Sequence, residues 1–213
     1  MSTPGQAWYL RRSVLPGKRY EVSCFENDAH VDGFTVEASG ADGQVIGEPD
    51  GADMLWSAGL DDQNRSRVVV MPGAAPDAPD AWYVAIRSTQ DDRPRMTLVA
   101  FCTDHLPDAT VVPDASFFTM PVTSDQQSAA IRWWADTAVV DEIFVQAEHR
   151  RSHLGTKLIY AASGFHQHHG WPGRLHSDGR RTDLGQQFVV GLRHPERIAE
   201  WSDKAHPMDP ETN

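Results

Sequence analysis

Short runs of alternating or β-branched apolar residues recur through the first 70 positions of the chain. Turn-forming clusters such as Ser39–Gly43 and Glu48–Gly51 separate these runs. A period of two places every second side chain on the same face of a strand, so the pattern predicts a β-rich N-terminal region over residues 1–71. The predicted strands of this region are Ala7–Arg11, Arg19–Phe25, Gly33–Ala38, Gln44–Ile46 and Arg67–Met71.

Residues 72–80 read Pro-Gly-Ala-Ala-Pro-Asp-Ala-Pro-Asp and have no apolar periodicity, which predicts a linker. Strand patterns resume after it and continue to residue 145, with polar or proline-containing turns between them. The predicted strands in this part are Trp82–Arg87, Met96–Cys102, Phe117–Val122, Ala129–Trp134 and Ala138–Val145.

The first helical periodicity lies at Leu154–His169, where apolar residues recur every three or four positions. Gly170 and Pro172 follow it as stop signals. A short strand at Arg174–Ser177 and a second helix at Thr182–Leu192 complete the pattern. We therefore predict an α+β fold with a mixed, mostly antiparallel sheet and flanking helices in residues 81–204, followed by a mobile tail at 205–213.

Composition narrows the class of protein. The 213 residues carry a formal net charge of −11, and no apolar run approaches a membrane span. We expect a soluble, cytoplasmic protein that does not bind nucleic acid, which its charge repels, and that does not enter a membrane. Three lysines beside many Arg, Ala, Gly and Asp residues suggest a bacterial or phage genome of high GC content. A homodimer stays open as an alternative to a monomer.

The loop between the strand Ala138–Val145 and the first helix has the properties of a phosphate site. Arg150 and Arg151 precede Gly155, and the amides of residues 151–156 lie at the helix start. Free amides, the positive end of the helix dipole and arginine side chains all favour an anion. The alternative is a solvated basic turn before an ordinary helix.

The residues Arg150-Arg151-Ser152-His153-Leu154-Gly155 resemble the acetyl-CoA signature of the GNAT family of N-acetyltransferases, Arg/Gln-x-x-Gly-x-Gly/Ala. His153 stands where that signature has its first glycine. The resemblance implies a GNAT-like fold, acetyl-CoA as co-substrate and no metal. It places the cofactor at the backbone of Phe144 and Val145 and at the loop residues Arg150, Arg151, Ser152, His153, Leu154, Gly155 and Thr156.

Two features of the family are missing from this sequence. The pair of helices that normally follows the first strand is absent between Trp82 and Met96. In the family these helices form much of the site that binds the acetyl acceptor, so this site is remodelled here or built from the N-terminal region. The tyrosine that protonates the CoA thiolate in many members is absent from the last helix, where counting back from Gly191 reaches Gln187 or Phe188.

Three residues are candidates for the chemistry. Glu142 lies on the strand before the loop and is a candidate general base, while His176 is a second titratable candidate and Ser177 a candidate proton donor. Because neighbouring residues of a strand face opposite sides, we expect only one of Asp141 and Glu142 to reach the acceptor cleft. The alternative is that one carboxylate pairs with an arginine and the other is solvated.

The resemblance implies transfer of the acetyl group from acetyl-CoA to a primary amine of a small molecule or protein, by direct attack. The alternative is a non-catalytic GNAT-fold binding protein that acts through protein contacts. A third interpretation, in which residues 1–70 bind a partner, is compatible with both. His166, His168 and His169 have spacings seen in metal sites, but no nearby Cys or carboxylate completes a ligand set.

Overall fold

The structure, a computed structural model, describes most of the chain. The described residues are 7–11, 19–27, 30–37, 44–48, 50–90, 92–181, 183–190, 200 and 202–204. The predicted tail at 205–213, the turn-forming cluster Ser39–Gly43 and residues 182, 191 and 192 of the second predicted helix lie outside these ranges.

Strands dominate the described residues. In the N-terminal part they are β1 Ala7–Arg11, β2 Arg19–Asn27, β3 His30–Glu37, β4 Val45–Ile46, β5 Asp53–Leu60 and β6 Ser66–Val70. The following strands are β7 Trp82–Gln90, β8 Arg93–Phe101, β9 Thr110–Pro113, β10 Ala129–Trp134, β11 Val139–Val145, β12 His176–Ser177, β13 Arg180–Arg181 and β14 Asp203–Lys204.

The α-helices of the described residues are α1 Asp114–Phe117, α2 Leu154–His168 and α3 Asp183–Val190. α2 and α3 confirm the two predicted helices. The predicted strand Phe117–Val122 is wrong, because Phe117 ends α1 and residues 118–122 form turns. Neither β5 nor β9 was predicted. None of the described helices is both long and apolar enough to cross a lipid bilayer.

Twelve of the described strands form one open sheet in the order β12-β11-β10-β8-β7-β9-β6-β5-β3-β2-β1-β4. All neighbours in it are antiparallel except the pairs β7–β9 and β11–β12. β13 and β14 pair separately. The protein is therefore a mixed α+β fold with a large, mostly antiparallel sheet and few helices, as the hydrophobic pattern predicts.

The sheet curves around α2. This helix contacts β3, β5 and β6 on one side and β8, β10 and β11 on the other, and eleven of its fifteen residues are buried. Its predicted apolar face supplies the core contacts, with Leu154, Leu158, Ala161 and Phe165 all buried. A second apolar cluster around Trp82 and Phe101 fills the opposite face of the sheet beneath α1.

The predicted N-terminal region and the rest of the chain share this sheet. β6 pairs with β9, and β5 and β6 pack against α2. In the predicted linker, Ala74 and Ala75 are buried in the core that contains α2. The division of the chain at residues 72–80 stays a prediction.

Trp56 on β5 occupies a space left by two glycines. A Cβ built on Gly33 of β3 would lie 2.1 Å from the Trp56 ring, and one built on Gly164 of α2 would lie 3.0 Å from it and 2.6 Å from Val68. The indole is 2% exposed. Gly164 is therefore required by packing, although glycine inside a helix costs about 1 kcal/mol relative to alanine.

We predict that Gly164→Ala destabilises the protein by about 1–3 kcal/mol, because the clash with Val68 and Trp56 outweighs the gain in helix propensity. Equilibrium urea unfolding measures the difference. Gly73→Ala is the matched control, since a Cβ there meets nothing within 4 Å. A Gly164→Ala variant that is more stable than the wild type contradicts the packing argument.

Candidate functional site

The candidate site is built on a strand–loop–helix–strand unit, β11-loop-α2-β12. β12 runs parallel to β11 but pairs with it only at Val139 and Val140, opposite His176 and Ser177. Among the described residues, the rest of β11 pairs with β10 alone. The carboxyl end of β11 therefore presents an open edge immediately before the loop.

The loop bends sharply through two residues with left-handed backbones. A short 3-10 helix, Ala147–His149, is followed by Arg151 with φ of 65° and His153 with φ of 58°. Left-handed φ favours glycine, and among other residues asparagine, aspartate and histidine tolerate it best. This backbone accounts for histidine at the position where the family signature has glycine.

The first amides of α2 have no hydrogen-bond partner within the residues that the structure describes. Its first intrahelical bond runs from the Lys157 amide to the His153 carbonyl at 2.9 Å, so the amides of Leu154, Gly155 and Thr156 precede it. The Ser152 hydroxyl donates to the His149 carbonyl at 2.6 Å and closes the turn. The loop therefore presents backbone donors at the positive end of the α2 dipole.

Arg150 and Arg151 have different surroundings. Arg150 Nε donates to the Val145 carbonyl at 3.1 Å, which holds its guanidinium beside the end of β11. Arg151 is exposed, and no hydrogen bond of its side chain is found among the described residues. One arginine thus fixes the loop to the strand and still offers its terminal nitrogens, while the other points to solvent.

Gly155 is needed for packing. A Cβ at this position would lie 3.0 Å from the Phe188 ring of α3 and 3.4 Å from Val145. The missing side chain at Gly155 thus allows close contact of the helix start with α3 and β11. A large substitution here would displace α3, so charge changes at the arginines test the loop more cleanly.

Backbone direction along β11 selects which amides reach the open edge. The Gln146 amide donates to the Ser128 carbonyl at 3.0 Å and so faces β10. Because amides alternate in direction along a strand, that of Phe144 also faces β10, while those of Ile143 and Val145 face the open edge. Within the predicted segment, Val145 is the residue whose amide is placed to meet a ligand.

A β-bulge changes the predicted directions of Asp141 and Glu142. Arg132 lies opposite Glu142 and Trp133 opposite Val140, so β11 carries one extra residue, Asp141. Arg132 binds both acids, with 2.9 Å from Nε to Asp141 and 2.6 Å from Nη2 to Glu142. Because the bulge breaks the alternation of side chains, both carboxylates pair with an arginine, and the alternative in which one of them is solvated is wrong. Which of the two reaches the acceptor cleft stays a prediction.

The other two candidates lie on opposite faces of β12. Residues paired across a sheet share a face. Ser177 therefore lies with Val140 on the core side, and its hydroxyl accepts the Gly179 amide at 3.0 Å. His176 lies with Val139 on the same face as Arg132 and Glu142, and its Nδ1 is 2.9 Å from the Arg174 carbonyl oxygen. His176 and Glu142 therefore lie on the same face of the sheet, whereas Ser177 lies on the opposite face.

Two charged residues that the sequence analysis did not single out organise this end of the sheet. Arg132 pairs with both carboxylates of β11. Lys157, buried in the first turns of α2, binds Asp108 and the Pro79 carbonyl, each at 2.8 Å. The sequence does contain a signal for Lys157, because it is a lysine between Leu154 and Leu158 on the apolar face of the helix.

The histidines at the end of α2 are engaged in packing. His166 is buried, accepts from Trp133 Nε1 at 3.1 Å and lies 3.0 Å from the Pro172 carbonyl through Nε2. His169 stacks on Trp171. Burial lowers the pKa of both His168 and His169. Within the described ranges no three His, Cys, Asp or Glu side chains are grouped to hold a metal ion.

Comparisons with protein-family models, with curated proteins and with solved structures find no match to this chain.

The left-handed backbone at residue 153 allows us to predict the effect of substitutions there on the free energy of unfolding. His153→Gly should change this free energy by less than about 1 kcal/mol relative to the wild type, because relief of left-handed strain is offset by the entropy of glycine. His153→Val should lose about 1–3 kcal/mol, since a β-branched residue tolerates this φ poorly. Urea unfolding compares them, with His105→Val, at an ordinary φ, as the control. Equal stability of the two His153 variants would contradict the left-handed backbone at this residue.

Proposed function

We propose that this protein is a GNAT-like N-acetyltransferase that transfers the acetyl group of acetyl-CoA to a primary amine. The observation that carries the proposal is the loop between β11 and α2. It combines Arg150 and Arg151 with the first amides of a 15-residue helix, which have no hydrogen-bond partner among the described residues, beside the open edge of β11. This is an arrangement suited to a diphosphate followed by an extended chain.

The charge distribution supports binding of a phosphate ligand at this loop in particular. The chain carries a net charge of −11, which opposes anion binding over the surface as a whole. In the loop, however, two arginines and the helix dipole act over a short distance. Hydrogen bonds between charged partners contribute about 1.5–3 kcal/mol each, enough to give local selectivity for phosphate.

The open edge supplies a route for the rest of the cofactor. An extended chain beside β11 would meet the amides of Ile143 and Val145, which face away from β10. An amide that donates to the thioester oxygen stabilises the charge that develops there during attack. In that step the amine nitrogen forms the new C–N bond, the C–S bond breaks and CoA leaves as the thiolate.

Proton transfer is assigned to the face that carries Arg132. The attacking nitrogen must be neutral, so a base or water has to take a proton from the ammonium group. Glu142 and His176 share this face, and the pairing with Arg132 positions the Glu142 carboxylate. The leaving thiolate needs a proton from another source, because Gln187 and Phe188 occupy the relevant part of α3.

A second candidate function is a GNAT-fold protein that binds acetyl-CoA without turnover. The observation that favours it is the double salt bridge of Arg132, which engages both carboxylates of β11. Both carboxylates are therefore engaged in ion pairs within the protein, rather than free to meet an acceptor amine. In this case the loop would bind the cofactor and the protein would act through contacts with a partner.

The loop assignment predicts micromolar binding of acetyl-CoA, roughly −8 kcal/mol, in a calorimetric titration. Arg150→Gln with Arg151→Asn should weaken it about 100-fold, since two charged donors are lost while asparagine tolerates the left-handed backbone. Arg67→Gln, an exposed arginine on β6, is the matched control. Unchanged affinity in the double variant rejects the phosphate site.

Turnover separates the two candidate functions. With a panel of primary amines, the enzyme should release CoA thiol, and Glu142→Gln should lower kcat by about 10²–10⁴. Asp141→Asn is the control, because it removes the other partner of Arg132. Cofactor binding without thiol release from any amine would favour the binding protein.

A further inference from the structure

The end of α2 carries a histidine whose two ring nitrogens both have a partner. His166 is fully buried, with 0% of its surface exposed. Its Nδ1 accepts from the Trp133 indole at 3.1 Å, and its Nε2 lies 3.0 Å from the Pro172 carbonyl oxygen. An indole N–H only donates and a carbonyl oxygen only accepts, so these partners select the neutral tautomer with its proton on Nε2.

A second proton on His166 is incompatible with this arrangement. It would bind at Nδ1 and point at the N–H group of Trp133, so that two donors face each other. An unsatisfied donor and an unpaired charge are both costly in a buried site. Protonation of His166 therefore requires that the ring lose its contact with Trp133 and gain contact with water.

The turn that follows α2, residues 170–173, covers this histidine. The Trp171 ring packs edge-on against that of His166, with 5.6 Å between the ring centroids. Gly170 and Gly173, at the two ends of this covering turn, have φ of 65° and 77°. Glycine adopts such backbones without strain and changes φ easily, so the two residues are suited to act as hinges.

The covering turn is held less firmly than the strand on the other side of His166. Gln167 Nε2 donates to the Gly173 carbonyl at 2.7 Å, and β12, which follows the turn, pairs with β11 at two positions. Trp133, by contrast, belongs to β10, which pairs with β8 and β11 along its length. The covering turn and β12 are therefore the part that moves when water has to reach His166.

The ionisable groups described around this end of α2 are mostly basic. They are His168 and His169 of α2, His30 of β3, Arg87 of β7 and Arg174 after the covering turn. Asp32 is the acid of this group, and it pairs with His30. β8 and β10 present apolar side chains to the helix, namely Met96, Leu98 and Ile131. A proton on His166 therefore adds positive charge to a region that is already basic.

We propose that His166 is a pH-dependent switch: the neutral imidazole holds the covering turn closed and β12 against β11, and protonation of His166 releases both. The bonds that form the switch involve neither the loop before α2 nor a cofactor, so it is independent of acetyl transfer. Its consequence for catalysis rests on the proposed function, because release of β12 removes His176 from the face that carries Glu142.

Hydrogen exchange of single backbone amides, followed by NMR on the full-length protein without acetyl-CoA, tests the switch. The probe is the His176 amide, which donates to the Ala138 carbonyl at 3.0 Å where β12 meets β11. An exposed histidine has a pKa of about 6.5, so the closed state is fully favoured above that pH and loses up to about tenfold in population per pH unit below it. We expect the protection factor of this amide to fall about 30-fold between about pH 7.5 and about pH 5. The Ser128 amide, bonded to the Ala100 carbonyl at 2.8 Å, reports global unfolding and should keep its protection.

His166→Gln removes the titration while it keeps both bonds. The glutamine side chain can accept from Trp133 and donate to the Pro172 carbonyl, so protection of the His176 amide should fall no more than about threefold over the same pH range. His169→Gln is the matched control at the same end of the helix. Because His168 and His169 are more exposed than His166, this control should retain a fall of about tenfold or more.

Nitrogen-15 NMR of the imidazole rings in the wild type gives a readout that needs no folded variant. At neutral pH, His166 should carry a proton on Nε2 and none on Nδ1. A His166 that becomes protonated at about pH 5, while the His176 amide stays protected, overturns the proposal.

Two results of the exchange experiment also overturn the switch. One is equal pH dependence in the wild type and in His166→Gln. The other is a parallel loss of protection at Ser128, which would show that acid unfolds the whole protein rather than the covering turn. Since no cofactor is present, these outcomes are the same whether or not the protein binds acetyl-CoA, and failure of the switch is distinguishable from failure of the proposed function.

Discussion

Burial of α2 against the concave face of the sheet is the interaction on which the rest of the structure depends. The helix contacts strands from both halves of the chain, so its apolar face joins β5 and β6 to β8, β10 and β11 in one core. Trp56 completes this contact in the space that Gly33 and Gly164 leave open. The position of the loop at the helix start and that of β12 after the helix both follow from this packing.

The charge at the start of α2 is opposite in sign to the net charge of the chain. An excess of carboxylates dominates the composition, yet the start of α2 carries two arginines and amides without a partner in the described part of the chain, while the neighbouring groove, lined by residues 79–80 and 102–108, carries acids. Lys157 lies between the two regions, buried in α2 and bonded to Asp108. The two signs of charge therefore lie at the same end of the sheet, on separate groups.

The bulge at Asp141 shows how one irregularity changes the chemistry of a strand. Regular alternation would send Asp141 and Glu142 to opposite faces, whereas the extra residue brings both carboxylates to Arg132. The same face carries His176 and the half-buried Trp134, whose ring lies under Arg93. In the proposed reaction, the pairing with Arg132 fixes the position of the Glu142 carboxylate on this face.

Local pattern by itself determined the strand-rich character, the boundaries of α2 and β10, and the position of a basic turn before a helix, because these depend on periodicity and on stop signals a few residues away. It missed β5, whose pairing partners and glycine contacts come from distant segments, and it misread Phe117–Val122, where apolar residues cover the sheet from a short helix and turns. Only the tertiary structure decided the bulge, the left-handed backbone at His153, the packing role of Gly155 and the groove beside Asp108. The contact of Gly155 with Phe188 and the groove join segments far apart in the chain, and the bulge and the backbone angle at His153 leave no trace in the apolar periodicity.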